Sequence, residues 1–448
     1  MVTTAHSAGP QPVKATIRAY QVGFGDCFLL RFDYSDNSAR HILIDFGSTG
    51  MPKNDPKADM KRVADDIAQQ CGGKLDIVVA THRHADHISG FATSDNGDGP
   101  GDVIRALKPD RVLQPWTEAP EAPENWAGPA DAAAAKKAFD TRVASLESMH
   151  AIAESVVRRL DSEKGFNAQW PFADRLRFLG EDNIKNLSAV KNLMTMAGDE
   201  TRNVYLFHGC DVDLDEILPN IKVHVLGPPT LQQSQSIKKY AKASSDYWLR
   251  ASPLVALGAD AAVARQSDSK LFPQLSKEEM FRKSRLPSEM RWVAERVDNA
   301  EADQLLGIVT ALDDAVNNTS LILLFEAGTR KLLFPGDAQL ENWNYALQSG
   351  MAELLDDVDF YKVGHHGSLN ATPKAMWNRF NKRNEEQTPD RLKTMMSTMA
   401  GKHGGKKGAP TEVPRMPLVD ELKAQSELHN TQDLEPGDLC EIIVIDLT

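Results

Sequence analysis

The stretch Thr81-His82-Arg83-His84-Ala85-Asp86-His87 places three imidazoles and one carboxylate within six residues. Such a set is costly to hold unless a cation binds it, because every donor must be kept deprotonated and in place. In an extended segment alternate side chains share a face, so His82 and His84 can grip one ion together. Asp86 and His87 fall after the chain has turned and can face a second position. Residues 75–80, which precede the cluster, read as a short buried strand. The cluster therefore sits on a loop at a strand's carboxyl end, where ligands bind in α/β sheets.

Two later stretches share that address. The apolar run 331–334 ends in Pro335-Gly336-Asp337, where a carboxylate could bridge two ions. Residues 359–363 lead into Gly364-His365-His366-Gly367-Ser368, whose paired imidazoles supply a further ligand while the glycines let the backbone approach closely. Asp45, in Ile44-Asp45-Phe46-Gly47, is read as an acceptor bracing the neighbouring loop in preference to a metal ligand. The chemistry such a site supports is hydrolysis. Two divalent ions about 3.5–4 Å apart acidify a bridging water, orient it and stabilise the attacking and leaving oxygens, which suits phosphodiesters best. Asp86 and Asp337 would be the catalytic carboxylates that fix the hydroxide, and backbone N–H groups at Gly367 and Ser368 could contact a phosphate oxygen. Zinc is the default ion for imidazole-rich sites, and manganese suits the mixed carboxylate set nearly as well.

The elements that must position these residues read as β-rich with interposed helices. Strands are expected at 15–22, 27–32, 41–45, 75–80, 111–114, 203–207, 221–225, 321–325, 331–334, 359–363 and 441–447. Helices are expected at 57–71, where Met60, Val63 and Ile67 share a face, around 103–107, and at 418–425. Two segments differ in character. Residues 118–202 carry several prolines and then an Ala-rich, helix-favouring run at 131–160, and residues 230–310 are polar and helix-rich. The expected organisation is a core of 1–117, 203–229 and 311–448 with two helical insertions at 118–202 and 230–310.

At 448 residues the chain can bury a large core, and its 41% hydrophobic and 25% charged fractions are ordinary for a soluble protein. A net charge of −12 argues against a protein that coats nucleic acid by bulk electrostatics, though not against a nuclease whose ions reverse the local field. No apolar leader and no run of about 18 apolar residues occurs, so neither a signal peptide nor a membrane span is expected. Cys27, Cys71, Cys210 and Cys440 are far apart and read as buried free thiols of a cytoplasmic protein.

Taken in order, Val22-Gly23-Phe24-Gly25-Asp26, Leu43-Ile44-Asp45-Phe46-Gly47, the His82 to His87 cluster, Leu226-Gly227-Pro228-Pro229, Asn318 to Leu324, Pro335-Gly336-Asp337 and Val363 to Ser368 resemble the metallo-β-lactamase superfamily. Within it they resemble the hydrolase domain of ComEC-type competence proteins. The resemblance spans about half of the chain. It implies an α+β fold of the αββα sandwich type with a metal site at one edge. It also implies one or two divalent ions: His82 and His84 on the first, Asp86 and His87 on the second, Asp337 bridging, and His365 or His366, with His365 favoured, completing the second. The chain departs from the pattern in three respects. Asp313-Asp314-Ala315-Val316-Asn317-Asn318 stands where most of the superfamily has a third imidazole for the first ion, so water, Asp313 or Asp314 would complete it. Glu412-Val413-Pro414 stands where a Gly-His-Pro is common, and no membrane channel accompanies the domain.

The function these readings imply is a metal-dependent hydrolase using a metal-bound hydroxide, a phosphodiesterase acting on nucleic acid. Two alternatives stand beside it: a small-substrate hydrolase of nucleotide or phospholipid-headgroup phosphodiesters, lactones or thioesters, and a partner-binding protein that keeps a structural metal and docks another chain through its helical insertions.

Overall fold

Short alternating and apolar runs build two mixed sheets in this chain. The structure, a computed structural model, describes residues 9–53, 55–119, 187–199, 202–230, 233, 317–368, 370, 372–402 and 412–448. All belong to one compact unit comprising Met1–Val143, Lys185–Ile237 and Val316–Thr448. The first sheet contains β1 (Pro12–Tyr20), β2 (Cys27–Tyr34), β3 (Ala39–Phe46), β4 (Ile77–Val79), β5 (Arg111–Pro115), β6 (Asn203–Leu206) and β13 (Cys440–Asp446), in the order β13-β1-β2-β3-β4-β5-β6. It is antiparallel from β13 to β3 and parallel from β3 to β6. The second contains β7 (Ile221–Gly227), β8 (Ile322–Ala327), β9 (Arg330–Phe334), β10 (Phe360–Lys362), β11 (Lys393–Met396) and β12 (Glu427–Asn430), in the order β12-β11-β10-β9-β8-β7. There β7, β8 and β9 are antiparallel and β9 to β12 parallel.

The period of two along each strand decides what is buried where. Phe28, Phe32, Ile42, Ile44, Ile77 and Val79 of the first sheet share one hydrophobic cluster with Leu323, Phe325, Leu332, Phe334 and Phe360 of the second. Phe28 meets Phe334 edge to face with ring centroids 6.0 Å apart. The intervening residues Ile322, Leu324, Leu333 and Tyr361 form a second cluster with Trp343, Trp377 and Leu422. These three come from α5 (Leu340–Gln348), α6 (Lys374–Trp377) and α7 (Met416–Gln425). Burial on both faces explains why β8 reads as a continuous apolar run instead of an alternating one.

Seven α-helices occur among the described residues, the others being α1 (Met60–Gln70), α2 (Ala85–Ile88), α3 (Pro100–Ala106) and α4 (Leu187–Thr195). α1 buries Val63 and Ile67, as the helical spacing predicts, with Ala64 beside them and Met60 only half-buried, and Tyr20 Oη on β1 donates to its Asp66 at 2.8 Å. α4 lies within 118–202 yet packs on the core. Asn192 Nδ2 donates to Phe91 O at 2.8 Å and Gly101 O at 3.1 Å. Most of 118–202 and 230–310, including the helix expected at 131–160, lies outside the described residues, as do Asp313 and Asp314. No helix among the described residues is long and apolar enough to cross a membrane. The four thiols are free; Cys27 and Cys71 are buried, whereas Cys210 and Cys440 are only partly so.

The chain leaves the described residues near 119 and again near 230 on a single rim. Trp116 Nε1, just past β5, donates to Pro229 O, just past β7, at 3.2 Å. Gly227 pairs with Ile322, and Leu321 N donates to Thr81 O at 2.9 Å, so the start of β8 lies on that rim too.

Away from the rim, His41 on β3 is buried, its Nε2 has no hydrogen bond, and its backbone N–H donates to Asp76 Oδ2 at 2.7 Å. Burial, reinforced by Arg31, pushes the imidazole down to about 4. The unfolded imidazole, near 6.5, binds a proton that the folded one refuses. This contribution to stability therefore falls as pH drops from about 6.5 to about 4 and is level below. Melting temperatures across that range should decline less steeply in a His41→Gln variant than in the parent chain; equal slopes would refute the assignment.

Candidate metal centre

Strand polarity brings the chemistry together. β3 and β4 are parallel, so Asp45 near the end of β3 and the loop after β4 share a rim, and Cys27 at the start of β2 pairs with Phe46 there, which brings Asp26 alongside. In the second sheet β9 and β10 are parallel, so Asp337 and His365-His366 emerge together. The two rims meet. Asp86, His87, Asp337 and His366 offer one donor atom each within 4.8 Å of one another, and so do His82, His84 and Asp86.

Within the first group His87 Nε2 is 3.1 Å from Asp337 Oδ2 and 3.9 Å from Asp86 Oδ1. His366 Nε2 is 2.9 Å from Asp86 Oδ2 and 3.7 Å from Asp337 Oδ2. In the second group His82 Nε2 is 3.1 Å from His84 Nδ1. The other ring nitrogens are held from behind. His87 Nδ1 lies 2.8 Å from Asp45 Oδ2 and His366 Nδ1 lies 2.9 Å from Ser397 O, which makes Nδ1 the donor in each and turns Nε2 inward. Asp45 also accepts from Thr81 N and Thr81 Oγ1, both at 2.7 Å, so it braces the loop as the sequence suggests.

Electrostatics match a site made for cations. His82, His84, Asp86, His87, Asp337 and His366 are all buried. Burial lowers His82 well below the ordinary value, helped by His87 and His84, and pushes His84 down to about 4, so both are neutral with lone pairs to give. Burial opposes ionisation of Asp86 and Asp337, yet His87 and the neighbouring imidazoles hold both well below the usual carboxylate range. His87 is driven up despite its burial, chiefly by Asp337 and Asp45. Asp86 Oδ1 and His87 Nε2 are buried without a hydrogen bond. Buried polar atoms are ordinarily satisfied. Two such atoms facing each other across a nitrogen and oxygen donor set fit a divalent ion, with His82, His84 and Asp86 at one position and Asp86, His87, Asp337 and His366 at the other.

The two adjacent histidines separate in a way that reverses the order expected from sequence. His365 and His366 both adopt left-handed backbone conformations, with φ of 44° and 52°. His366 enters the donor group, whereas His365 Nε2 stays 4.0 Å from Asp337 Oδ2 with a side chain 26% exposed. His365 instead contributes its backbone N–H to Asp337 Oδ1, at 3.0 Å. The Ser368 N–H donates to His365 O at 2.8 Å and is engaged in that turn, so it is not open to a phosphate. Ser368 Oγ is buried without a hydrogen bond, and Gly367 is packed against Met396 and Pro414.

Three residues at the site carry no role in the sequence reading. Asp26, a carboxylate at a strand start, and Lys362, inside an apparently apolar strand, form a buried ion pair, and Ser397 lends its carbonyl to His366. Only the turn Gly23-Phe24-Gly25-Asp26 hinted at the first. No protein-family model matches the chain, and no curated protein is similar to it.

Proposed function

We propose that the protein is a metal-dependent hydrolase of the metallo-β-lactamase type, a phosphodiesterase acting on nucleic acid. One observation carries this reading: Asp86 and His87 from the loop after β4 and Asp337 and His366 from the second sheet converge within 4.8 Å of one another, with Asp86 Oδ1 and His87 Nε2 buried and unsatisfied among them. Two mixed sheets sharing a core, with α5, α6 and α7 on the outer face of the second, support the αββα arrangement. Divalent ions there, zinc or manganese, would acidify water and offset charge on a phosphoryl group. The chain's own part is positional. Asp45 and Ser397 fix the tautomers of His87 and His366, Asp86 and Asp337 hold the inner carboxylate oxygens, and His365 stands at the exposed side.

The near-complete burial of the donors favours a second reading, a small phosphodiester substrate, over an intact duplex. The test covers both. Purified protein with Mn²⁺ or Zn²⁺ is assayed on duplex DNA, single strands, RNA and dinucleotides beside a His84→Ala/Asp86→Ala double variant. Turnover confined to the parent is expected; cleavage of dinucleotides alone would select the second reading, and identical behaviour of the two preparations on every substrate would remove both.

A further inference from the structure

Lys362 ends β10, three residues before His365, and its side chain is 2% exposed. Its ammonium meets Asp26 Oδ2 across the gap between the sheets, donates to Gly336 O at 3.2 Å, and lies 3.5 Å from Asp337 Oδ1. An ammonium has three donors; Gly336 O takes one, and Asp26 and Asp337 are the two carboxylates its charge faces. Asp337 is thereby divided. Its Oδ1 faces Lys362 and the His365 N–H at 3.0 Å, while its Oδ2 faces His87, His366 and His365 at 3.1, 3.7 and 4.0 Å.

A buried ion pair is a weak stabiliser, since the cost of removing two charges from water offsets their attraction, and apolar residues of similar volume hold two sheets together as well. The Asp26–Lys362 pair instead stands directly behind the candidate ligands. Asp26 is also 3.7 Å from His87 Nδ1 and 3.6 Å from His366 Nδ1, and its backbone N–H donates to Asp86 O at 2.8 Å. Asp26 thus stands behind Asp86, His87 and His366, and Lys362 behind Asp337.

We propose, building on the metal-dependent reading above, that Lys362 is a positioning residue: anchored by Asp26, its ammonium fixes the rotation of Asp337 so that one oxygen is committed to the protein and the other to the cation. Burial alone would depress this lysine, but Asp26 and Asp337 raise it above its ordinary value. The metal-facing half of Asp337 is then set before any ion arrives. Pre-orientation of this kind is where partners behind a ligand affect metal affinity.

The test removes the pair as a unit. Asp26→Asn/Lys362→Met keeps shape and leaves the net charge beside the site unchanged, so a pure field effect predicts no change in metal binding. Mn²⁺ and Zn²⁺ affinities are measured by competition with a chromophoric chelator, and folding by circular dichroism and melting. A folded double variant whose affinity is about 10–100-fold weaker than the parent's is expected. Undiminished affinity in a folded double variant overturns the positioning role and leaves the metal reading intact; absence of uptake by the parent overturns both. Should the variant fail to fold, the parent labelled with ¹⁵N-lysine decides. The Lys362 ammonium resonance, shielded from exchange by burial, is expected to shift in step with Zn²⁺ uptake, and an unmoved resonance at saturation overturns the proposal.

Discussion

Replacing Asp337 by alanine is expected to abolish metal-dependent turnover, lowering it on the order of 10³-fold or more, since metal ions supply several kcal/mol of transition-state stabilisation and each 1.36 kcal/mol is tenfold. Asp337 touches most of the second donor group at once: its Oδ2 is 3.1 Å from His87 Nε2 and 3.7 Å from His366 Nε2, and its Oδ1 accepts the His365 N–H. Alanine removes the ligand and the acceptor together. Asp337→Asn separates them, because an amide oxygen still accepts from His365 while the charge is gone. The expected result is a chain that melts near the parent temperature, takes up Mn²⁺ or Zn²⁺ weakly, and is nearly as impaired as Asp337→Ala on a chromogenic phosphodiester. Full activity in the asparagine variant would show that the carboxylate is structural.

Gly47→Ala carries the second large effect, and here the cause is space. A Cβ on Gly47 would lie 2.4 Å from His87 N and 2.5 Å from Asp86 C, both backbone atoms of the candidate metal loop. Neither can yield without moving α2 and with it Asp86 and His87. Overpacking of this sort typically costs about 1–3 kcal/mol. The displaced donors should add a loss of metal affinity on the order of 10-fold or more, in the range seen when groups supporting a ligand are disturbed. Gly72→Ala is the control. Gly72 has φ of +59° and nothing within 4 Å of the added methyl, so it should lower stability by about 1 kcal/mol through backbone strain alone and leave metal uptake untouched. Calorimetry and metal titration of the two variants side by side would decide; equal metal affinities would mean that the loop tolerates the shift.

Much of this site is legible without coordinates because strand ends carry local signals. An apolar run followed by His82-Arg83-His84-Ala85-Asp86-His87, and another followed by Pro335-Gly336-Asp337, announce themselves by residue type, and Asp45 declares its bracing role by standing one residue before a strand's end. Other parts depend on distant contacts. β11, Lys-Thr-Met-Met, and β12, Glu-Leu-His-Asn, are too short and mixed to show a period, and are strands only because parallel neighbours supply their hydrogen bonds. α5, with Trp343 and Ala346 buried among polar residues, is decided by packing on the second sheet. Lys362 in a strand reads as a solvated charge until Asp26, far away in the chain, is placed against it. The choice between His365 and His366 turns on two successive left-handed residues, a backbone detail that neighbouring histidines do not advertise.

The rim that gathers the donors is also where the polypeptide departs after residue 119 and after residue 230, with Trp116 and Pro229 joined by a hydrogen bond between the two exits. Neither exit interrupts a ladder, so length and composition there can change while every strand keeps its register. Swapping either excursion for a short linker is a graft that leaves Asp86, His87, Asp337 and His366 in the chain, and metal uptake by such grafts would show what each excursion adds.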